Sequence, residues 1–170
     1  KNVSSLIRGE ITRLNDSTPI TYKPDYNDWF ETQTPAYCWF ENDTLNKIKY
    51  GALYNWYAIN TGNLCPTGWH VASDLDWRQL EGFIGMSEGT VLSSGCRGSE
   101  GYKLKAETGW ESPNDQVDGN GSNEFGFNAL PTGSRMEGVF CGIGISALWG
   151  TSTQYHGSDG KPKNYLEYRN

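Results

Sequence analysis

The stretch CPTGWH, residues 65 to 70, carries the two side chains of this sequence that most suggest catalysis. The Cys65 thiol and the His70 imidazole could serve as nucleophile and base of a cysteine enzyme if the thiol pKa were lowered and the base lay nearby. The only other histidine, His156, lies far along the chain, and no further catalytic signature accompanies these residues. We therefore interpret His70 as a strand residue that hydrogen-bonds across the turn, and we expect no enzymatic activity.

Oxygen-bearing side chains alternate along the loop SPNDQVDGNGSNEFGFN, residues 112 to 128. They belong to Asp118, Asn120, Ser122 and Glu124, and their spacing resembles the beginning of a calcium loop. The distal bidentate glutamate of a complete loop is missing from the pattern. The alternative is a solvated turn in which Asp and Asn stabilise their own backbone. We favour the turn and keep Ca2+ as the candidate cofactor.

Aromatic and polar residues mix in LWGTSTQYHGSDG, residues 148 to 160. Trp149, Tyr155 and His156 stand beside Ser, Thr, Gln and Asp, a composition that could stack on a sugar ring and hydrogen-bond its hydroxyls. We take these three residues as the candidate ligand-binding site. Aromatic rings are more often part of a core, however, so we expect Trp149 to be buried and Tyr155 and His156 to be exposed.

The four cysteines are widely spaced and include no C-x-x-C pair of the kind that holds zinc. They are Cys38, Cys65, Cys96 and Cys141. An even number fits two disulfides formed in an oxidising compartment, and three pairings are possible. Free buried thiols are the alternative. We favour disulfides without choosing a pairing.

Length and charge limit what the chain can be. Its 170 residues are enough for one domain with a real core, and 14 Lys+Arg against 20 Asp+Glu give a net charge of -6. Without a basic cluster that could neutralise phosphates, nucleic acid is not an expected partner. The chain also contains no run of ~18 apolar residues and no export signal, so we expect no membrane span in it.

The elements that would position these residues are short. Seven Trp, ten Tyr and 21 Gly suit short strands and tight turns. The spacing of apolar residues predicts helices near 51–60 and 74–84, the second capped by Ser73 with Asp76 three residues on, whereas two prolines predict extended structure in residues 17–30. Large apolar side chains are expected in the core: Trp56, Trp69, Trp77, Leu80, Phe83, Phe125, Phe127, Leu130 and Trp149.

Several long segments together resemble one family. They are YGALYNWYAINTGNLCPTGWHVASDLDWRQLEGFIG, GYKLKAETGW, NEFGFNALPTGSR and LWGTSTQY, preceded by LNDSTPI and TPAYCWFEND. This ordered set resembles the Fibrobacter succinogenes major paralogous domain, which is common in exported proteins of Bacteroidetes, and it covers nearly the whole chain. The resemblance implies a single α+β domain of the C-type-lectin-like and formylglycine-generating-enzyme-like group, with two short helices and a twisted, mostly antiparallel sheet with long loops.

The sequence departs from this family in two places. Members usually continue to a last strand that ends in a Gly-Phe-Ser-Val-Arg-Cys type sequence, whereas this chain stops at Asn170, without a cysteine that might partner Cys65. Either the sequence is shortened or a closing strand comes from elsewhere. The usual double tryptophan is reduced to Leu148-Trp149-Gly150. The cysteine pair of formylglycine-generating enzymes has no counterpart around residues 149–155, so the resemblance does not imply catalysis.

The resemblance implies a binding or adhesion module without catalysis, exposed on the outer membrane of a bacterium or secreted. A glycan is the candidate ligand. The alternative is a structural or accessory subunit of a larger cell-surface complex, or a display scaffold, that binds protein partners. Lipid attachment ahead of Lys1 would fit this location, but no lipobox is visible.

Covalent decoration is a further expectation from the family's source. Bacteroidetes attach O-linked glycans at Asp, then Ser or Thr, then a small or aliphatic residue or Thr. Asp16-Ser17-Thr18 and Asp43-Thr44-Leu45 match this motif in polar, turn-forming surroundings. We expect O-glycosylation at Ser17 and Thr44, the alternative being that each Asp simply caps a turn.

Overall fold

A computed structural model of the chain describes residues 13–93, 97–112, 117–156 and 162–169, except for the side chains of residue 155 and of residues 162–169. This part of the chain is a mixed α/β structure with short helices and small, mainly antiparallel sheets. The mixed helix and strand content predicted from the sequence is therefore confirmed. The expectation of two short helices and one twisted sheet is wrong, because the described residues form five helices and three small sheets. None of the helices in the described ranges is long and apolar enough to cross a bilayer.

The first sheet is formed by short strands from the N-terminal third of the chain. These are β1 (Thr21–Tyr22), β2 (Ala36–Cys38) and β3 (Leu53–Tyr54), in the order β1-β2-β3. β1 runs parallel to β2, whereas β3 is antiparallel to β2, with Cys38 opposite Leu53. β2 is buried along its whole length, so it forms the centre of this layer, and β3 lies at an end of the sheet.

Two antiparallel hairpins form the C-terminal part of the described chain. The first pairs β4 (Thr132–Met136) with β5 (Val139–Ile143), and the second pairs β6 (Trp149–His156) with β7 (Pro162–Arg169). Pairing between β6 and β7 shifts register twice along its length. A parallel bridge between Gly133 and Ala147 links the start of the first hairpin to the segment that leads into the second.

The helices are short. They are α1 (Tyr26–Glu31), α2 (Thr44–Tyr50), α3 (Trp56–Asn60), α4 (Asp74–Phe83) and α5 (Glu88–Val91), with 3-10 turns at Phe40–Asn42 and Glu100–Lys103.

Helix α1 overturns the prediction of extended structure throughout residues 17–30. The prediction holds for β1, but a helix begins directly after Pro24 and Asp25. Pro24 lies outside the helix and removes no hydrogen bond from it, and the Asp25 carboxylate accepts from the backbone N–H groups of Asn27 and Asp28 at 2.9 and 3.3 Å. Asp25, which directly follows this proline, is the N-cap that starts α1.

Of the two predicted helices, one is confirmed and the other is shorter than expected. Helix α4 covers almost the whole of residues 74–84 and carries the predicted capping box between Ser73 and Asp76. In residues 51–60 the helix begins only at Trp56, because Leu53 pairs with β2 and Asn55 caps the helix. The Asn55 carboxamide accepts from the Ala58 and Ala36 N–H groups, both at 3.0 Å, and so joins α3 to β2.

Aliphatic and aromatic residues of the N-terminal third form a buried cluster around β2. Its members are Leu14, Ile20, Tyr37, Ala52, Ala58 and Leu64, with Tyr22, Trp39, Tyr54, Ile59 and Val71 packed against it.

The predicted core is correct only in part. Trp77 is 8% exposed, as expected. Phe83 and Phe125 were wrongly assigned to the core, because their side chains are 73% and 39% exposed and pack edge-to-face on each other, with ring centroids 5.4 Å apart. The other predicted residues are half-buried: Trp56, Trp69, Leu80, Phe127, Leu130 and Trp149.

A buried ion pair anchors α4 to the segment that precedes the second 3-10 turn. The Arg97 guanidinium donates to both carboxylate oxygens of Glu81, at 2.9 and 3.0 Å, and both side chains are almost fully buried. Burial leaves water little access to either charge, so the ion pair contributes to the solvation of both.

Candidate functional site

His70 supports the start of α4 rather than a catalytic thiol. Its Nε2 lies 3.2 Å from Oδ2 of Asp76, which also accepts from the backbone N–H and hydroxyl of Ser73 at 2.8 and 2.7 Å. Mainly through the bonds from Ser73, and to a smaller extent through His70, the pKa of Asp76 is lowered. The prediction that His70 lies in a strand and bonds across the turn is wrong, because its partner is the helix cap ahead of it.

The Cys65 thiol is buried, and burial raises its pKa. A cysteine nucleophile needs the opposite change, towards thiolate at neutral pH. The two histidines are engaged elsewhere: His70 bonds to Asp76, and Nδ1 of His156 lies 3.1 Å from the Gln154 carbonyl. The geometry therefore gives Cys65 no activating base among the described contacts.

The cysteines in the described residues are free thiols. Cys38 and Cys65 are buried and Cys141 is exposed, so neither predicted disulfide forms among these three. Burial raises the pKa of Cys38 to about 11. The fourth predicted cysteine, Cys96, lies outside the described residues.

In the candidate calcium loop, the Asp118 carboxylate and the Asn120 carboxamide form hydrogen bonds within the protein. Oδ1 of Asp118 accepts from the backbone and side-chain nitrogens of Asn120, at 3.0 and 2.8 Å, and Asn120 Oδ1 accepts from the Trp110 N–H at 2.9 Å. Ser122 has a buried hydroxyl without a hydrogen-bond partner in the described structure, whereas Glu124 is exposed. These contacts fit the alternative interpretation, a turn in which Asp and Asn stabilise their own backbone.

A protein cation lies beside that turn. The Lys105 ammonium donates to the Gly119 carbonyl and lies 4.1 Å from the centre of the Trp110 ring. Burial lowers the pKa of Lys105, and the Asp118 carboxylate opposes that change. Within the described ranges, no group of three or more His, Cys, Asp or Glu side chains is placed to hold a metal ion.

The predicted sugar site is not assembled as a unit. Trp149 and His156 stand at opposite ends of β6, so roughly 20 Å of extended strand separates them. Trp149 is half-buried and packs against Trp77 and Phe127, with ring centroids 5.7 and 6.0 Å away, whereas His156 is exposed as expected. The side chain of Tyr155 lies outside the described part of the structure.

Both candidate O-glycosylation residues are exposed. Ser17 occupies a turn in the left-handed region, with φ of 70°, and the Asp16 carboxylate accepts from the Thr18 N–H at 2.9 Å. Thr44 is the first residue of α2, and the Asp43 carboxylate caps that helix by accepting from the Leu45 N–H at 2.8 Å. Each Asp therefore caps a turn or helix, as the alternative expected, while each hydroxyl residue remains on the surface.

A large open cleft lies between the first sheet, α1, the first hairpin and the start of β6. Its volume is about 1240 Å3. The segments that border it come from distant parts of the sequence, and the walls are mainly aliphatic and aromatic. Its aromatic side chains are Trp29, Phe30, Phe40, Tyr50, Tyr54, Trp56, Tyr57, Trp77 and Trp149.

Charged groups at the cleft are few. Glu31, Arg135 and Glu137 are the charged residues among those that line it. The guanidinium of Arg135 is already bound: it donates to the carbonyls of Lys23, Pro24 and Asp25 at 2.8 to 3.1 Å and to that of Gly138 at 3.1 Å. It also lies 4.8 and 4.6 Å from the rings of Trp29 and Phe140. Neither of the two carboxylates takes part in an ion pair in the described structure.

The sequence analysis missed this cleft. Of the predicted ligand residues, only Trp149 lines it, together with the former catalytic candidate Cys65. The aromatic richness of residues 50–57 was visible, but it was interpreted as the apolar face of one helix. The break into β3 and α3 is what turns these rings towards a common space.

Comparison with known proteins gives one match. The family model described as the Fibrobacter succinogenes major domain matches residues 8–169. No curated protein and no solved structure matches the chain.

Proposed function

The chain belongs to the Fibrobacter succinogenes major domain family, and from that premise we propose that it is a binding module without catalytic activity. The cleft is the observation that carries this proposal. A large concave space whose walls combine aromatic and polar side chains is the usual form of a ligand-binding site. The buried Cys65 thiol, whose pKa is raised, does not support covalent catalysis.

The proposed location is the outer surface of a bacterium or its surroundings. We assign the finer fold to the C-type-lectin-like group, in which loops on a compact scaffold carry binding. The mixed α/β architecture and the small sheets are compatible with that assignment. The exposed Ser17 and Thr44 suit a protein decorated with glycans outside the cell.

Two classes of ligand fit the proposed binding function: a glycan and a protein partner. A glycan would use the aromatic side chains as stacking platforms, and Trp149 would still contribute one of them. The alternative, an accessory subunit that binds a protein partner, is favoured by the volume of the cleft, which exceeds the usual range of small-molecule sites. An extended protein segment would fill such a volume, so we take the protein ligand as the stronger of the two.

The test is to fill the cleft. Thr132 is half-buried on β4 and lines the cleft, whereas Val139 lies on the same hairpin, is exposed and does not line it. Thr132→Trp and the control Val139→Trp are compared with the wild type on a glycan array and on an array of extended peptides. We expect binding that Thr132→Trp abolishes and Val139→Trp keeps.

Two results would count against the proposal. Binding that survives Thr132→Trp would place the ligand site outside the cleft. Failure of the wild type to bind on either array would contradict the binding function itself. Thermal unfolding of both variants checks that each still folds.

A further inference from the structure

Asn120 and Gly121 form the only Asn-Gly pair in the sequence. Asparagine is a thermolabile residue, and it deamidates most readily before glycine, which has no side chain to hinder the reaction. The deprotonated Gly121 nitrogen attacks Cγ of Asn120, the N–Cγ bond forms and the carboxamide nitrogen leaves as ammonia. Water then opens the cyclic imide, and the product is aspartate or isoaspartate at position 120.

The fold holds the attacking nitrogen in a hydrogen bond. The Gly121 N–H donates to the Ala106 carbonyl at 2.9 Å. The next N–H, that of Ser122, donates to the Tyr102 carbonyl at 3.0 Å. A Cβ at Gly121 would collide with the carbonyl oxygens of Tyr102 and Lys105, so this backbone lies directly against the segment that accepts its bonds. While these contacts persist, the nitrogen cannot turn towards the side chain that precedes it.

The carboxamide of Asn120 is held as well. Its Oδ1 accepts from the backbone N–H of Trp110 at 2.9 Å, and its Nδ2 donates to Oδ1 of Asp118 at 2.8 Å. The backbone N–H of Asn120 donates to the same Asp118 oxygen at 3.0 Å. Both reacting groups are thus fixed by separate partners, and ring closure requires that the turn first leaves residues 102–110.

We propose that Asn120-Gly121 is a deamidation site that the folded turn keeps closed and that reacts when the turn opens. An aspartate at position 120 has no N–H to donate to Asp118, and its charge lies where Nδ2 was, so the two carboxylates repel each other. Isoaspartate also lengthens the backbone by one CH2 group, in a turn that already packs tightly against its neighbours. A molecule that has reacted therefore cannot restore the native turn, and the modification records past opening.

The rate of deamidation tests the protection. The full chain is incubated at mildly alkaline pH, either folded in buffer or unfolded in guanidinium chloride, and peptide mapping by mass spectrometry quantifies the product at Asn120. A synthetic peptide of residues 117–124 gives the unprotected rate. The folded protein should react at least roughly tenfold more slowly than the unfolded protein and the peptide, because reaction waits for local opening.

Variants assign the protection to the turn. Asp118→Ala removes the acceptor of Nδ2, so it should speed deamidation of the folded protein roughly threefold to tenfold while changing the rate of the peptide little. Glu124→Gln changes an exposed side chain close by in the sequence and should leave the folded rate unchanged. Circular dichroism checks that both variants are folded.

Asn120→Asp supplies one product directly. Its urea midpoint at pH 7 should be lower than that of the wild type, and the difference should shrink below about pH 3, where carboxylates become protonated. This separates the repulsion between positions 118 and 120 from a loss of packing, which would not depend on pH.

Several results would overturn the proposal. Equal rates in the folded and unfolded protein would show that the turn gives no protection, and absence of product in the unfolded protein would show that the pair is not a reactive site. An unchanged folded rate in Asp118→Ala would refute the role of that carboxylate. Wild-type stability of Asn120→Asp would refute the claim that the product cannot restore the turn. None of these measurements involves the cleft, so the binding function is tested separately.

Discussion

Asp76 is the acceptor around which the start of α4 is organised, and its ionisation should be visible in stability. Because its pKa is lowered in the folded protein, the carboxylate stabilises the fold above its unfolded pKa of about 3.9, and this contribution is lost as the pH falls through the folded value. Asp76→Asn should lower the free energy of unfolding by about 1 kcal/mol at pH 7, as the loss of a helix cap does. Urea denaturation at several pH values measures it.

The difference between wild type and Asp76→Asn should begin to shrink below about pH 4, where Asp76 of the unfolded chain becomes protonated, and should vanish below the lower pKa of the folded protein. Glu124→Gln, in an exposed side chain, serves as the control and should change stability little at either pH. A difference that is the same at pH 7 and at pH 2 would show that the charge of Asp76 is not what stabilises the cap.

The exposed hydroxyls of Ser17 and Thr44 are where glycan attachment can be tested residue by residue. Protein from its native host should exceed the mass of its unmodified polypeptide, and the excess should disappear in the double variant Ser17→Ala and Thr44→Ala. Each of these residues also completes an Asn-x-Ser/Thr sequon, with Asn15 and Asn42.

Changing those two asparagines to Gln separates the possibilities by intact-mass spectrometry. Under the O-linked prediction the excess mass persists in the Asn15→Gln and Asn42→Gln variant. Its loss would indicate N-linked attachment, and an unmodified native mass would remove the prediction altogether.

Arg135 connects two parts of the fold. Its guanidinium holds the segment before α1 against the first hairpin. Arg135→Ala removes its hydrogen bonds to the carbonyls of Lys23, Pro24 and Asp25, and we expect the free energy of unfolding to fall by about 3 kcal/mol. Arg135→Lys keeps the charge but not the planar fork, so it should recover less than half of the loss.

Urea denaturation measures the stability of both variants, and limited proteolysis shows whether residues 23–31 become accessible. Full stability of Arg135→Lys would mean that charge alone holds the segment, contrary to the geometry.

The ion pair between Glu81 and Arg97 offers a second test between elements. Arg97→Ala removes the guanidinium from the buried Glu81 carboxylate and should cost about 3–5 kcal/mol. Replacing both residues by Met should be much less destabilising. The more exposed pair of Lys23 and Asp28 is the control, since Lys23→Ala should cost at most about 1 kcal/mol. Equal losses for the two pairs, measured by chemical denaturation, would contradict the role assigned to burial.

The elements differ in how far the sequence could predict them. Helix α4 was predictable because its cap, its apolar spacing and its terminal glycine agree within one stretch. Helix α1 was missed because the prolines were given more weight than Asp25, which caps the helix. Pro24 lies outside the helix and does not prevent it. Phe83 and Phe125 were misplaced because helical spacing identifies an apolar side chain but not whether another element covers it.

At the scale of the whole molecule, the cleft could not be predicted from the sequence. Its walls run from Trp29 to Gly150, and only the folded chain brings them together. The local candidates, such as the loop at Asp118 and the stretch from Trp149 to His156, were visible because their residues are neighbours in sequence. In the structure, the loop at Asp118 is a turn that hydrogen-bonds within itself. The stretch from Trp149 to His156 is a strand whose ends lie far apart.

An open apolar cleft should be detectable before any natural ligand is known. The native protein should bind the fluorescent dye 8-anilinonaphthalene-1-sulfonate, and Thr132→Trp should weaken that binding while Val139→Trp leaves it unchanged. Fluorescence titration at neutral pH measures both. Equal dye binding by the three proteins would locate the exposed apolar surface somewhere other than the cleft.

The guanidinium contacts of Arg135 also affect how the protein is made. Its carbonyl partners precede it by 110 to 112 residues, so the loop that this anchor closes is among the longest that the chain contains. A ribosome adds about 5–20 residues per second, and Lys23 therefore emerges roughly 5–20 seconds before its anchor is synthesised. Throughout that interval the stacked rings of Tyr26 and Phe30 have no hairpin beside them. Docking of α1 against the first hairpin therefore waits until residue 135 has been synthesised.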